Sequence, residues 1–179
     1  MLTLLIGGAR SGKSRYGQSI CAGGARVAYV ATARAEDDEM RVRITRHRGE
    51  RPVGWLTVEE PLAVAEVVKR LAGEMDFVLL DCLTLWLSNF CGERKGASPD
   101  ELQISVSREI ASLVAASARS HLVMVSNEVG SGIVPESYVG RLFRDLHGLA
   151  NQQVARDADY VIHMVAGIPC RIKPMGERL

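Results

Sequence analysis

The interpretation of the rest of the chain depends on one stretch, Leu4-Leu5-Ile6-Gly7-Gly8-Ala9-Arg10-Ser11-Gly12-Lys13-Ser14. Its last eight residues match the spacing G-x-x-x-x-G-K-[ST], in which backbone amides of a glycine-rich loop surround phosphate oxygens. An apolar run precedes the motif and a helix-compatible segment follows it, so we predict a strand, a phosphate-binding loop and a helix with its positive dipole end at the anion. Lys13 would reach the β- and γ-phosphates, and the Ser14 hydroxyl would bind Mg²⁺.

Length and composition place the chain among ordinary soluble domains. Its 179 residues fit one domain, residues 1–179, and 47% of them are hydrophobic. A net charge of +1 argues against general electrostatic binding to nucleic acid or to an anionic membrane. No apolar run is long enough to span a membrane, and the N-terminus enters a strand instead of a signal peptide, so we expect a cytoplasmic location and no membrane insertion.

The four cysteines include no C-x-x-C pair; they are Cys21, Cys82, Cys91 and Cys170. Such spacing predicts neither a zinc site nor a disulfide framework and favours reduced thiols. Cys82 lies in an apolar run, which predicts a small core residue rather than a nucleophile.

Predicted strands and helices alternate along the whole chain. After the first strand, strands are predicted at 27–31, 55–58, 77–80, 122–125 and 160–165, with a short edge strand at 171–173. Helices are predicted at 13–22, 36–48, 83–90, 99–118 and 137–155, and one more begins with Pro61 in its first turn. The alternation predicts a three-layer α/β fold with a mostly parallel sheet and helices on both faces.

Chemistry-bearing residues follow several of the predicted strands. Residues 7–14, 32–34, Asp81 and 127–128 all stand at strand ends, which meet at the carboxyl edge of a parallel sheet. Asp81 is positioned as the second Mg²⁺ partner of a phosphate-loop enzyme, although a solvated strand-end acid is the simpler alternative. The loop at 130–132 could contact a ligand, and a tight connection explains it about equally well.

His47 lies in an arginine-rich helix that opens with the acids Glu36 to Glu39. Met40, Ile44 and His47 have the spacing of one helix face, and arginines surround them at positions 41, 43, 46, 48 and 51. One interpretation is a half-buried histidine that completes an apolar stripe. The other is a nucleophile: a neutral imidazole can attack the α-phosphate of a nucleotide and form a covalent intermediate, with arginines stabilising the charge. The residues alone leave both open.

Motifs along nearly the full chain resemble the bifunctional adenosylcobinamide kinase and adenosylcobinamide-phosphate guanylyltransferase of cobalamin biosynthesis. The phosphate loop has the specific form G-G-A-R-S-G-K-S, followed by Arg15. The other matching segments are Ala31-Thr32, Asp37-Asp38-Glu39-Met40, Arg43-Ile44, His47-Arg48, Arg51-Pro52, Trp55, Asp81-Cys82-Leu83-Thr84, Ser126-Asn127-Glu128-Val129-Gly130, Gly132-Ile133-Val134-Pro135 and Phe143-Arg144-Asp145. The resemblance implies a fold of the P-loop NTPase (RecA-like) type.

The same resemblance implies two reactions. GTP or ATP would phosphorylate the aminopropanol hydroxyl of adenosylcobinamide, and GTP would then transfer GMP through a histidine to adenosylcobinamide phosphate, giving adenosylcobinamide-GDP. The guanylylated histidine of the family falls on His47, with Lys13 as the other catalytic residue and Mg²⁺ on Ser14 and Asp81. The nucleotide contacts fall on Gly7, Gly8, Ala9, Arg10, Ser11, Gly12, Lys13, Ser14, Thr32, Ala33, Arg34, Arg48, Gly49, Glu50, Arg51, Glu59 and Asp81. The resemblance also implies a homotrimer.

Three points stay open at this stage. Position 46 is arginine where some family members have a second histidine, so His47 is the only candidate nucleophile there. Glu60 could serve in place of Glu59, and the tail from Pro174 to Leu179 has no assigned function. Two other classes also remain: a small-molecule kinase without nucleotidyl transfer, and a nucleotide-switched binding protein.

Overall fold

A computed structural model describes residues 1–35 and 37–174, apart from the side chain of Arg43. The predicted helix start at Glu36 and the tail beyond Pro174 therefore lie outside the described residues. The strands are β1 (Leu2–Gly7), β2 (Val27–Ala31), β3 (Leu56–Glu59), β4 (Phe77–Asp81), β5 (His121–Asn127), β6 (Tyr160–Val165) and β7 (Ile168–Lys173). The helices are α1 (Lys13–Cys21), α2 (Asp38–Gly49), α3 (Val64–Leu71), α4 (Leu83–Gly92), α5 (Pro99–Ala116) and α6 (Tyr138–Asp157).

All the strands join one sheet in the order β3-β2-β4-β5-β1-β6-β7. Every pairing is parallel except that of β6 with β7, which is antiparallel. The predicted mostly parallel sheet is confirmed. Because parallel strands need crossover connections, the helices pack on the two faces of the sheet and bury the central strands.

The central strands are apolar on both faces, and alternate residues feed two separate cores. Leu4, Val78 and Leu80 point into the larger core, which α3, α4, α5 and α6 cover. Leu5 and Leu79 point into the smaller core, which α1 covers through Tyr16, Ile20 and Cys21. Successive side chains of a strand point to opposite faces of the sheet, so every second residue of these apolar strands packs into the same core. This alternation fixes which side chains face the helices on each side.

Two predicted boundaries are wrong, the start of the third helix and the start of the last strand. The third helix begins at Val64 instead of at Pro61, because the Glu60 carboxylate accepts hydrogen bonds from the backbone N–H groups of Leu62 and Ala63, both at 2.8 Å, and holds a turn there. The last strand has six residues where three were predicted, since its backbone pairs with β6 although exposed and partly buried residues alternate along it and none is buried. In the described part of the chain, no helix is long and apolar enough to cross a membrane.

Candidate active site

The loop between β1 and α1 is built around two glycines. Gly7 ends β1 between Asn127 on β5 and Met164 on β6, and a Cβ there would lie 2.5 Å from the carbonyl oxygen of Met164. Gly12 is the N-cap of α1 with φ of 94°, a backbone conformation that glycine adopts without steric cost. The path of the backbone therefore requires glycine at both of these positions of the phosphate-loop motif.

Neighbouring segments hold this loop from both sides. The N–H of Glu128, just after β5, donates to the Gly7 carbonyl at 3.0 Å. On the opposite side, the N–H of Gly167, in the turn between β6 and β7, donates to the Ser11 carbonyl at 3.1 Å. The loop is thus fixed by main-chain contacts before any ligand is considered.

Lys13 places its ammonium inside the curve of the loop. The side chain is buried, and Nζ donates to the carbonyl oxygens of Gly7 at 2.9 Å and Gly8 at 2.6 Å. The first turn of α1 has no acidic residue and no side-chain cap. The orphan N–H groups and the positive end of the helix dipole therefore reinforce Lys13, and the loop is suited to a polyphosphate.

Asp81 lies at the carboxyl end of β4, in register with Ala31 of β2. The buried phenol of Tyr29 donates a hydrogen bond to Asp81 Oδ2, and the guanidinium of Arg51 stacks over the Tyr29 ring with Cζ 4.6 Å from its centroid. Burial, with the Asp81 charge in addition, raises the pKa of Tyr29 above its usual range, so the phenol stays a hydrogen-bond donor. Sequence reasoning missed Tyr29 because it lies within an apolar strand.

Thr32 follows β2 and is fully buried. Its hydroxyl donates to the Cys82 carbonyl at 2.7 Å and accepts from the Cys82 N–H at 2.9 Å, while its own carbonyl accepts from the Asn89 amide at 2.8 Å. The side chain thus ties the end of β2 to the end of β4. Next along, Ala33 is partly exposed and Arg34 forms an ion pair with Glu93 at 2.6 Å.

Cys82 behaves as the core residue that the sequence predicts. It is 8% exposed, and its Sγ caps α4 by accepting from the Leu85 N–H at 3.5 Å. Burial raises the pKa of the thiol to about 11, so the reactive thiolate is scarce at neutral pH.

The basic helix α2 begins at Asp38, with the Asp37 carboxylate accepting from the Met40 N–H at 2.7 Å. The predicted face is present, because Met40, Ile44 and His47 are partly buried while the neighbours at positions 41, 42, 45, 46 and 48 are exposed. His47 Nδ1 lies 3.2 Å from the Glu50 carboxylate, and the imidazole side chain is 33% exposed. A partly exposed ring with one nitrogen paired is consistent with either interpretation of His47.

Arg48 and Arg51 converge on Glu59 of β3. Arg48 makes a bidentate pair with the carboxylate at 2.6 and 2.5 Å, and Arg51 Nη1 lies 3.6 Å from it. Arg48 lowers the pKa of Glu59 through these hydrogen bonds. Glu60 instead caps the turn before α3, so the two adjacent acids, which the sequence leaves as alternatives, have separate structural roles.

A cavity of about 490 Å³ opens beside this cluster. It is lined by Arg48, Arg51, Pro52, Val53, Gly54, Trp55, Thr57 and Glu59. Three predicted contact residues thus share one cavity, and an indole and two guanidinium groups stand on its wall. Such groups can stack on a planar base and pair with phosphate or carbonyl oxygens.

A buried polar network supports the end of β5, and sequence reasoning did not find it. His147 Nε2 lies 2.9 Å from Thr84 Oγ1 and 3.3 Å from Ser126 Oγ, and Ser126 donates to Asn151 Oδ1 at 2.7 Å. Asn127 is held at both ends, because its N–H donates to Thr84 Oγ1 and its carbonyl accepts from Asn151 Nδ2. The sequence pattern that could have predicted this network is the i, i+4 spacing of His147 and Asn151, which both lie on the buried face of α6.

The structure places most predicted site residues on one edge of the sheet. Residues 7–14, Thr32, Asp81 and Asn127 stand at adjacent carboxyl ends. The hydrogen bonds and ion pairs described for α2 join the helix to itself, to its flanking residues Asp37 and Glu50, and to Glu59. The site therefore has two parts, a phosphate loop on β1 and an arginine cluster between α2 and β3.

The model of one protein family matches residues 3–172, and its description is cobinamide kinase / cobinamide phosphate guanyltransferase. The chain belongs to this family. Family membership confirms the resemblance drawn from the sequence, and with it the kinase and guanylyltransferase activities and the use of a nucleotide substrate.

Two curated relatives match nearly the whole chain. The bifunctional adenosylcobalamin biosynthesis protein CobU of Escherichia coli strain K12 is 41% identical, and the alignment covers 97% of this chain and 100% of the relative. The bifunctional adenosylcobalamin biosynthesis protein CobP of Pseudomonas aeruginosa is 39% identical, with 97% and 98% covered.

The fold also matches a solved P-loop ATPase. A prototypical ATPase from the type III secretion system of pathogenic bacteria has a TM-score of 0.56 and 11% identity, and the match covers 90% of this chain. The chain spans about half the length of that ATPase, at 51%. The predicted P-loop fold class is confirmed by this likeness, which concerns the fold alone.

Proposed function

We propose that this member of the family performs its two transfers with Lys13 and the loop at 7–14 in the first, and His47 in the second. In the kinase step, the aminopropanol hydroxyl oxygen of adenosylcobinamide attacks the γ-phosphorus of GTP or ATP. A new P–O bond forms, the bond to the β–γ bridging oxygen breaks, the hydroxyl proton passes to solvent, and the nucleoside diphosphate leaves. The position of Lys13 Nζ inside the loop, on the Gly7 and Gly8 carbonyls, carries this proposal.

A Mg²⁺ ion fits the residues that the loop and β4 provide. The Asp81 carboxylate accepts from Tyr29 through Oδ2, so Oδ1 would be the oxygen that binds the cation, and the Ser14 residue is partly exposed at the start of α1. Magnesium characteristically takes one or two protein oxygens, with water and substrate phosphates completing its octahedron. The ion would neutralise charge that develops on the transferring group.

In the second step, a ring nitrogen of His47 attacks the α-phosphorus of GTP, and pyrophosphate leaves as the P–N bond forms. A phosphate oxygen of adenosylcobinamide phosphate then displaces the histidine and gives adenosylcobinamide-GDP. The Glu50 carboxylate lies 3.2 Å from Nδ1, which supports Nε2 as the attacking atom, because attack through Nδ1 would have to displace that carboxylate.

The arginine cluster is proposed to bind the nucleotide that His47 attacks. The cavity beside it is large enough for a base and carries Trp55 for stacking. Arg48 and Arg51 supply charge for phosphate oxygens, and their pairing with Glu59 holds them in place. Gly49 and Glu50 belong to the same segment, and Thr32 to Arg34 are proposed as further nucleotide contacts because they follow β2, whose last residue Ala31 pairs with Glu59.

The decisive experiment is covalent labelling with α-labelled GTP and Mg²⁺. We expect an acid-labile, base-stable label on the wild-type protein and none on His47→Ala. Label retained by His47→Ala would remove His47 as the nucleophile. A wild-type protein that phosphorylates adenosylcobinamide and never takes label would be a kinase without nucleotidyl transfer.

We also propose a cytoplasmic homotrimer. Val165, Ile168 and Ile172 on the β6–β7 hairpin are about half exposed or more, and within residues 1–35 and 37–174 β7 is the edge strand of the sheet. Such an edge supports association between copies of the chain. Light scattering on the purified protein tests the trimer: a monomer mass at assay concentration would exclude it.

A further inference from the structure

Asn127 ends β5 directly beside the phosphate loop, and the two transfers proposed above do not use it. β5 lies between β4 and β1 in the sheet, and Asn127 is in parallel register with Gly7. Neighbouring strands of a sheet are about 4.8 Å apart. The next residue, Glu128, donates its N–H to the Gly7 carbonyl at 3.0 Å, and the same carbonyl accepts from Lys13 Nζ at 2.9 Å. Asn127 is therefore one strand away from the carbonyl that Lys13 contacts.

The alternation along β5 puts the Asn127 side chain on the face of the sheet that carries the loop. Val125 and its register partner Leu5 both pack in the smaller core, which α1 covers. Two residues further along, Asn127 and Gly7 share that face, because side-chain direction repeats with a period of two in a strand. A Cβ at Gly7 would lie 3.0 Å from Ser11 Oγ, so this face at the end of β1 is turned towards the loop.

The proposed cation partner on β4 shares the same face. Asp81 is the register partner of Val125, and its carboxylate accepts from Tyr29, a residue of the smaller core. Because β5 separates β4 from β1, Asn127 stands on the strand between Asp81 and the loop. A triphosphate held by the loop, with its cation on Asp81, would bring its terminal phosphate to this strand end.

Buried hydrogen bonds fix the main chain of Asn127. Its N–H donates to Thr84 Oγ1 at 2.9 Å, and its carbonyl accepts from Asn151 Nδ2 at 3.1 Å. Both partners are buried and belong to the network around His147. Asn127 itself is partly exposed, and none of the described residues is a hydrogen-bond partner of its side-chain amide. A fixed main chain that presents an amide with its donors unused is suited to contact a ligand.

We infer that the Asn127 side-chain amide donates a hydrogen bond to the γ-phosphate in the kinase step. The inference rests on the proposed binding of the triphosphate to the loop at 7–14. As the γ-phosphoryl group passes to the acceptor hydroxyl, its negative charge is spread over three equatorial oxygens, and a donor that is already in place stabilises this charge. Asn127 is then a catalytic residue, and Thr84 and Asn151 position it.

Glu128 is the neighbouring alternative at this strand end. Its carboxylate accepts from the Gly130 N–H at 2.7 Å and so stabilises the turn that follows β5. A carboxylate next to the γ-phosphate would repel it, whereas a neutral amide can donate to it. Charge and hydrogen bonding therefore favour Asn127 as the phosphate contact.

The test compares Asn127→Ala and Asn127→Asp with the wild-type protein in the kinase reaction with GTP and adenosylcobinamide. We expect kcat to fall about tenfold or more in Asn127→Ala, because a hydrogen bond to a charged group is lost. The fall should be larger in Asn127→Asp, which keeps the shape of the side chain and places a negative charge beside the phosphate.

Two further measurements separate phosphate contact from a structural role. The Kd for GDP, which lacks the γ-phosphate, should stay at the wild-type level in Asn127→Ala. The midpoint of thermal unfolding should also stay there, because the hydrogen bonds of Asn127 to Thr84 and Asn151 use only its main chain. The matched control Gln152→Ala, which removes an exposed amide from α6, should leave kcat unchanged.

Several outcomes would overturn the inference. A wild-type kcat in Asn127→Ala is one, and a smaller loss in Asn127→Asp than in Asn127→Ala is another. An equal loss of GDP affinity or a lower unfolding midpoint in Asn127→Ala would give the side chain a structural role instead. Failure of the proposed function looks different, because Lys13→Ala would then keep the wild-type kinase rate. An inactive Lys13→Ala beside a fully active Asn127→Ala would exclude Asn127 alone.

Discussion

The phenol of Tyr29 on β2 donates a hydrogen bond to the Asp81 carboxylate at the end of the neighbouring strand β4. Tyr29 is buried, and the Arg51 guanidinium covers its ring. This contact fixes the orientation of one carboxylate oxygen and links it to the arginine cluster. The two parts of the site thus meet through Tyr29.

Replacing Asp81 by Asn should abolish most Mg²⁺-dependent phosphoryl transfer. We expect kcat to fall about 100-fold or more, because the carboxylate charge proposed to hold the cation is lost while the shape is kept. Tyr29→Phe should have a smaller effect, since it removes only the orienting hydrogen bond. Kinase rates over a Mg²⁺ titration measure both, and wild-type Mg²⁺ dependence in Asp81→Asn would exclude Asp81 as the cation partner.

Lys13→Ala should lower the kinase kcat by about 100-fold or more and weaken triphosphate binding. The substitution removes a buried charge that is proposed to stabilise the transferring group. Arg108→Ala, which removes an exposed charge from α5, is the matched control and should keep the wild-type rate. A normal kinase rate in Lys13→Ala would show that phosphoryl transfer takes place elsewhere.

The buried network around His147 should make stability depend on pH. Burial lowers the pKa of His147 below its usual 6.5, so the folded protein keeps the ring neutral where the unfolded chain becomes protonated. Stability should therefore fall as the pH drops below about 6.5, with a slope of up to about 1.4 kcal/mol per pH unit from this group. Above that pH, both states hold a neutral ring and the contribution is constant.

The variant His147→Gln tests this dependence, since its amide can still pair with Thr84 but does not titrate. Urea unfolding at pH 7.5 and pH 5.5 should show a larger loss of stability in the wild-type protein than in the variant. Equal losses in the two proteins would mean that His147 titrates alike in both states.

Thiol reactivity should follow burial. Cys21 and Cys82 are buried, with pKa values raised to about 12 and about 11, so at pH 8 roughly one Cys82 thiol in a thousand is ionised. Cys170 is exposed and should react first with iodoacetamide. Mass spectrometry of the native protein after a short reaction reports the order, and early modification of Cys82 would contradict its place in the core.

Much of the fold follows from local patterns. The loop motif, the apolar runs at 77–80 and 122–125 and the strand–helix alternation predict a parallel three-layer sheet, because each depends on residues close in sequence. Helix propensity does not predict a helix boundary where a side chain stabilises a competing turn. Glu60 does so by accepting hydrogen bonds from the N–H groups of Leu62 and Ala63. The length of β7 could not be predicted, since its residues are stabilised by pairing with β6 and not by an apolar pattern of their own.

The sequence by itself determined the phosphate loop, the family and the set of strand-end residues, because backbone path and glycine spacing are local constraints. Only the tertiary structure decided how side chains from distant segments pair: Tyr29 with Asp81, Glu59 instead of Glu60 with Arg48, and His147 with Thr84 and Ser126. Those pairs depend on strand order and register, which bring together residues 11 to 63 positions apart. Hydrogen bonds and ion pairs act over a few ångströms, and no sequence spacing encodes that proximity.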